Sequence, residues 1–142
     1  MKLLFYSILI TLVSLSCKKE GCTDPKSIDF SEDAKKNDGS CTYQTTVMFW
    51  LDESDVPNYE SNGVSELNVY VNDELKTVVP VANSLASKPF CGTDNDFSKS
   101  YTFNMGKESS RSYTYAIIGD DGETWKSGSW SGTGNGCISI DI

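Results

Sequence analysis

The chain has 142 residues, with twelve basic and twenty acidic side chains, five cysteines and no histidine. Without histidine it lacks the commonest general base, the Ser-His and Cys-His nucleophile pairs, and the usual imidazole ligands of zinc enzymes. Its acidic balance disfavours nucleic acid, which is held by clustered Lys and Arg, and disfavours electrostatic docking on anionic lipid.

The N-terminal residues 1–16 carry one charge, Lys2, followed by an apolar run from Leu3 through Val13. The run is shorter than the roughly 20 residues a helix needs to cross a bilayer. A charged start, a short apolar stretch and small residues at its end predict a secretory signal helix, cleaved on export. The run closes on Ser14-Leu15-Ser16-Cys17, which resembles the lipobox of bacterial lipoproteins. The resemblance implies a diacylglycerol on Cys17, with Cys17 as the first mature residue. Ser14 stands where that family usually has Leu. An odd cysteine count in an exported chain leaves one sulfur over, and lipidation gives it a role. Removing sixteen residues leaves 126, and losing Lys2 brings the charge to −9. Residues 17–21, with Lys18, Lys19 and Glu20, are expected to form the tether. The expected address is the cell envelope, lipid-anchored at the outer membrane, on its periplasmic or surface face.

Outside the cytoplasm the remaining Cys22, Cys41, Cys91 and Cys137 are expected in disulfides, and four cysteines allow three pairings. No pair has the C-x-x-C spacing of a thiolate zinc site. Residues 22–43 read as a cysteine-framed acidic module. Gly21-Cys22-Thr23-Asp24-Pro25 opens it and Asn37-Asp38-Gly39-Ser40-Cys41-Thr42-Tyr43 closes it. From Gly21 to Tyr43 the pattern resembles a short module that recurs in surface and secreted proteins of lipoprotein-rich diderm bacteria. Ser27, Asp29, Phe30 and Asn37 depart mildly from its usual residues. In that module the two cysteines bond to each other, which implies Cys22–Cys41 and leaves Cys91–Cys137. Closing loops of these lengths removes roughly 3 and 4 kcal/mol of unfolded-state entropy in the chain-entropy model. The module has too few apolar residues to hold itself without its bridge. Asp24, Asp29, Asp33 and Asp38 offer the hard oxygen ligands that suit Ca²⁺, the one cofactor the sequence raises, but without the spacing of an EF-hand loop. The same residues serve as turn formers, in Asp24-Pro25 and in Asn37 to Ser40.

From residue 44 to 142 the pattern is strand-like. Val47 to Leu51 is a continuous apolar run, short enough for a buried central strand. Leu67, Val69 and Val71 alternate with Asn68 and Tyr70. After an Asn72-Asp73 turn, Leu75, Thr77, Val79 and Val81 resume the alternation, which predicts a hairpin with Pro80 at an edge or an end. Tyr101, Phe103 and Met105, then Tyr113, Tyr115 and Ile117, predict two more strands. Gly119 to Gly122 is a turn before Glu123 to Trp130, and Ile138, Ile140 and Ile142 alternate at the end. About seven strands and no amphipathic helix predict an all-β fold, a small antiparallel β-sandwich, Ig-like or related. The second bridge should pin a long loop to a sheet edge. Val47 to Trp50, Cys91-Gly92, Trp125 to Gly128 and Gly134 to Cys137 resemble small bacterial lipoproteins that carry the same N-terminal module. That implies a build and no activity.

Exposed aromatics beside polar groups suit sugar stacking. Tyr70 lies opposite the apolar face of its strand. Trp125 and Trp130, five apart, should point to opposite faces of one continuous strand. Aromatics are also ordinary strand residues. The carboxylates Asp94/Asp96 and Asp120/Asp121/Glu123 lie in turn sequence, and a domain this small has little room for a catalytic pocket. The expectation is a non-catalytic structural or interaction module of the envelope, with membrane, glycan or an envelope protein as partner. The alternative is a carbohydrate-binding surface lipoprotein using Trp125, Trp130 or Tyr70.

Overall fold

Residues 18–142 are described by the computed structural model. The leader, its predicted cleaved helix and Cys17 lie outside the described residues.

The chain first forms a small closed unit. Strand β1 (Glu20–Gly21) pairs in parallel with β2 (Lys36–Asn37), and Cys22 is bonded to Cys41. Asp and Asn side chains hold its turns. Asp24 Oδ1 accepts the Lys26 N–H at 2.9 Å, Asn37 Oδ1 the Gly39 N–H at 2.8 Å, and Asp38 Oδ1 the Ser40 N–H at 2.9 Å. This is the turn chemistry of residues whose short polar side chains reach their own backbone two positions on. Ordered backbone begins before the expected boundary at Cys22. The Lys19 carbonyl accepts the Lys35 N–H, and Lys19 Nζ lies 2.7 Å from Asp33. Residues 19–21, assigned from the sequence to the tether, therefore belong to the module.

Seven strands then build two layers, as the alternating apolar residues predict. Strands β6 (Ser98–Gly106), β3 (Tyr43–Trp50) and β9 (Gly136–Asp141) form one sheet in that order. Strands β5 (Glu74–Pro80), β4 (Glu66–Val71), β7 (Ser110–Gly119) and β8 (Thr124–Thr133) form the other. Neighbours are antiparallel with one exception: β9 runs parallel to β3. A six-residue helix, α1 (Val56–Ser61), links β3 to β4, with Pro57 in its first turn and Tyr59 buried beneath it. One and a half turns carry too little 3.6-residue periodicity to announce themselves in the sequence. The Asn72-Asp73 turn joins β4 to β5 with φ of 48° and 63°, the two left-handed residues of a type I′ turn. Pro80 ends the edge strand β5, where no neighbouring strand needs its missing N–H.

Between the layers, Val47, Phe49 and Leu51 from β3 and its end meet Leu67, Val69, Val71, Ile117, Tyr113 and Trp130 in one buried cluster. Fully burying each large side chain of this kind stabilises by about 1.5–3 kcal/mol. Tyr113 and Trp130, paired across β7 and β8, stack at 5.0 Å with their planes 16° apart. Phe49 meets the edge of Trp130 at 6.4 Å. Cys22, Cys41 and Tyr43 are part of the same cluster, so the module's bridge is packed into the base of the sandwich.

Both edges of the four-stranded sheet carry a bulge and a lysine. On β5 the register shifts so that Lys76 has no opposite residue, and its ammonium turns over the Phe103 ring at 5.6 Å. On β8 Trp125 is the unpaired residue, and Lys126 beside it reaches Asp141 of β9 at 3.6 Å. Bulges and lysines on edge strands discourage pairing with another chain. The β5 bulge also corrects the predicted alternation: Thr77 and Val79 face the core cross-strand from Val69 and Leu67, while Leu75 pairs with Tyr70 on the outer face.

Residues 82–97, between β5 and β6, form a strap across the outside of the three-stranded sheet. Leu85 bridges Asp52, donating its N–H to the Leu51 carbonyl at 2.8 Å and accepting from Glu53 at 3.0 Å. The Thr93 carbonyl accepts the hydroxyls of Ser98 (3.1 Å) and Ser100 (3.0 Å) on β6. Cys91 is bonded to Cys137 on the edge strand β9. The bridge therefore pins a long loop to a sheet edge, as expected. Between these ties lies β3, and this explains why its apolar run is continuous. Val47 and Phe49 face the main core, while Met48 and Trp50, on the opposite face, are 0% and 5% exposed beneath the strap.

Candidate functional site

The acidic residues of the module are each engaged locally rather than together. Asp24 Oδ2 accepts the Tyr43 hydroxyl at 2.8 Å. The Lys26 N–H, then that hydroxyl, hold the Asp24 carboxyl below its ordinary pKa. Asp33 is lowered by its bond to Lys19, and Asp38 by the hydroxyl and amide of Ser40. Asp29 accepts from the Thr42 amide at 3.1 Å and from its hydroxyl. Among the described residues no three Asp, Glu or Cys side chains converge as a metal-binding group would. The turn role is the one the geometry displays.

The aromatic candidates separate. Trp130 is 8% exposed, locked between Tyr113, Phe49 and Phe103. It offers no ring face to a sugar. Trp125 is half-buried, 5.0 Å from the Tyr59 ring, with its indole N–H 3.3 Å from Asp121 Oδ2. The expectation that the two tryptophans point to opposite faces is corrected: the bulge at Trp125 resets the alternation, and both pack on the core side. Tyr70 does lie on the outer face, half-buried, beside Leu75 on β5 and Ala116 on β7. Leu75 and Val78, both on that face, are 47% and 42% exposed. With Ile118 they give the four-stranded sheet an outward apolar strip that alternation alone did not predict.

Three of the carboxylates considered for acid–base work, Asp94, Asp120 and Asp121, are engaged in local contacts. Asp120 accepts the Ser65 hydroxyl at 2.5 Å and its amide at 3.2 Å, joining two loops, and Ser65 holds its carboxyl below the usual range. Asp121 takes the Glu123 N–H at 2.9 Å, and Asp94 pairs with Lys99 at 3.4 Å.

A concavity lies elsewhere. An open groove of about 560 Å³ separates Lys88–Cys91 of the strap from Cys137–Ser139 of β9. Its volume falls in the range of small-ligand sites. Phe90, on its rim, is 91% exposed. Ser139 also lines it, and its hydroxyl oxygen is buried without a hydrogen-bond partner among the described residues. Both cysteines of the bridge at its floor are exposed, whereas Cys22 and Cys41 are 1% and 7% exposed. The bridge was expected as the pair left over by Cys22–Cys41, but the groove depends on the strap's path, which no local pattern encodes.

These features define an all-β sandwich cross-linked by two disulfides, with Trp130 in its core and the module's aspartates held in local hydrogen bonds. The chain matches no protein-family model, no curated protein and no solved structure.

Proposed function

We propose that the chain is a lipid-anchored module of the cell envelope that acts by binding rather than by catalysis. The observation that carries it is the closure of two disulfides, which use every cysteine beyond Cys17. Persistent disulfides belong to oxidising compartments. The pairing leaves Cys17 as the odd sulfur, at the end of an apolar leader, where an acyl anchor would sit. The strip of half-buried Tyr70 with exposed Leu75 and Val78, and the exposed Phe90, supply surface for a partner.

Expression in a diderm bacterium with an alkyne-tagged fatty acid tests the anchor. The expected result is a labelled chain lacking residues 1–16 that partitions into detergent, with Cys17→Ser unlabelled. An unlabelled wild-type chain that keeps its leader overturns the proposal. For binding, a photo-crosslinking residue at position 75 should give a discrete adduct in the envelope, lost in Tyr70→Ala. Its absence in every growth condition removes the interaction role from this face. The carbohydrate alternative now leans on Tyr70, since Trp130 is in the core. Saturable quenching by an envelope or host polysaccharide that disappears in Tyr70→Ala would revive it.

A further inference from the structure

We propose that Cys91–Cys137 is a thiol–disulfide exchange site, attacked by a small thiol seated in the strap groove, and that its opening loosens the strap over Met48 and Trp50. Four observations converge on it. The two bridges differ in access: both Cys91 and Cys137 are exposed, while Cys22 and Cys41 are sealed in the core. Exchange requires a thiolate to approach along a sulfur, so access decides which bridge reacts, and exposed bridges are the labile ones. The exposed bridge lines a groove of about 560 Å³, ample for a small-molecule thiol. Lys88, the one charged residue among the described residues lining the groove, supplies positive charge that attracts a thiolate. Finally, the bridge has a mechanical consequence. It is the strap's tie to β9, and Met48 and Trp50 lie between that tie and the one at Thr93.

The chemistry balances with the thiol as reductant. A thiolate attacks one sulfur of the bridge; the S–S bond breaks and the other cysteine leaves as a thiolate, which takes up a proton. This yields a mixed disulfide. A second thiolate attacks the added sulfur, releasing the oxidised thiol dimer and the second cysteine. Two thiols are oxidised and one bridge is reduced. Leu85 still holds the strap at its far end, so the strap loosens around Cys91 rather than leaving the sheet.

The test uses the full, oxidised chain in detergent, titrated with glutathione, alkylated and mapped by mass spectrometry. Peroxide footprinting of methionine follows in the same samples. Met48 lies under the strap and Met105 in the main core, both buried, so one reports strap opening and the other global unfolding. The expected result is adducts on Cys91 or Cys137 at a glutathione concentration about tenfold below that which opens Cys22–Cys41. Met48 oxidation should rise severalfold over the same range while Met105 stays protected. Opening of Cys22–Cys41 first, or of both together, overturns the exchange site. An open Cys91–Cys137 with Met48 still protected, or with Met105 oxidised alongside, overturns the loosening. Because acylation is not read in this assay, failure here is separate from failure of the anchor.

Discussion

Gly132 on β8 stands against Thr45 on β3 with no room between them for a methyl group: a β-carbon on the glycine would lie 2.9 Å from the Thr45 β-carbon. Thr45 is fully buried, and its β-carbon sits on the backbone of the central strand, so it has little freedom to retreat. Gly132→Ala should cost about 1–3 kcal/mol, the range for overpacking a tight core. Gly128→Ala meets the hydroxyl end of Tyr115 at 2.8 Å instead. That ring is half-buried and can swing, so the cost should be smaller. Urea denaturation of both variants checks the order.

What the sequence revealed and what it hid divide along physical lines. Alternation at Leu67, Val69 and Val71 reports directly which residues face the core, because a strand's side chains repeat every two positions. It fails at Lys76 and Trp125, where one extra residue resets the count, and nothing local marks a bulge. The continuous run through Met48 and Trp50 marked a strand buried on both faces. What covers its second face, a strap more than 30 residues further on, follows from topology alone. The cysteines were legible as bridges; that one is sealed and the other open was not.

The two bridges should differ in consequence as well as access. Chain entropy alone ranks them by loop length, 19 residues for Cys22–Cys41 and 46 for Cys91–Cys137, or roughly 3 against 4 kcal/mol. Packing reverses the order, because Cys22 and Cys41 lie in the main core cluster and the other pair is exposed. Removing two buried sulfurs adds about 1–3 kcal/mol of lost contact. Cys22→Ala/Cys41→Ala should therefore be the less stable double variant, with the amides of 22–42 losing hydrogen-exchange protection first. Calorimetry ranks the pair, and a lower midpoint for Cys91→Ala/Cys137→Ala would show that loop entropy dominates.

One substitution should stabilise. Asp73 is held at φ 63°, a left-handed conformation that costs a non-glycine residue energy, at the second position of a type I′ turn. Asp73→Gly relieves that cost but adds chain entropy to the unfolded state, leaving a gain of about 0.5 kcal/mol. Asn72 should stay, because its Oδ1 accepts the Thr114 N–H at 3.0 Å. A raised midpoint for Asp73→Gly and a lowered one for Asn72→Gly are the expected pair.

The contact between Asp24 and Tyr43 gives the module's seat on the sandwich a pH window with two sides. Asp24, bonded to the Lys26 N–H and to the Tyr43 hydroxyl, titrates below its unfolded value. A depressed carboxyl contributes stability above its unfolded pKa, near 4, and loses it as pH falls through the folded value. Tyr43 titrates above its ordinary 10, first because its hydroxyl is bonded to Asp24 and next through desolvation. A raised phenol contributes fully below the unfolded pKa and loses its contribution as pH rises through the folded one. Gly134 of the β8–β9 turn lies against both Tyr43 and the Lys26 carbonyl, so loss of this bond should loosen that corner too. Amide shifts of Lys26 and Gly134, followed by NMR, should move below pH 4 and above pH 10 and stay flat between. In Asp24→Ala the acid transition should vanish and the alkaline one should fall toward the ordinary tyrosine value, because the bond that chiefly raises the Tyr43 hydroxyl is gone. A variant that keeps the acid transition places it on another carboxyl, with Asp38, bonded to Ser40, as the nearest alternative.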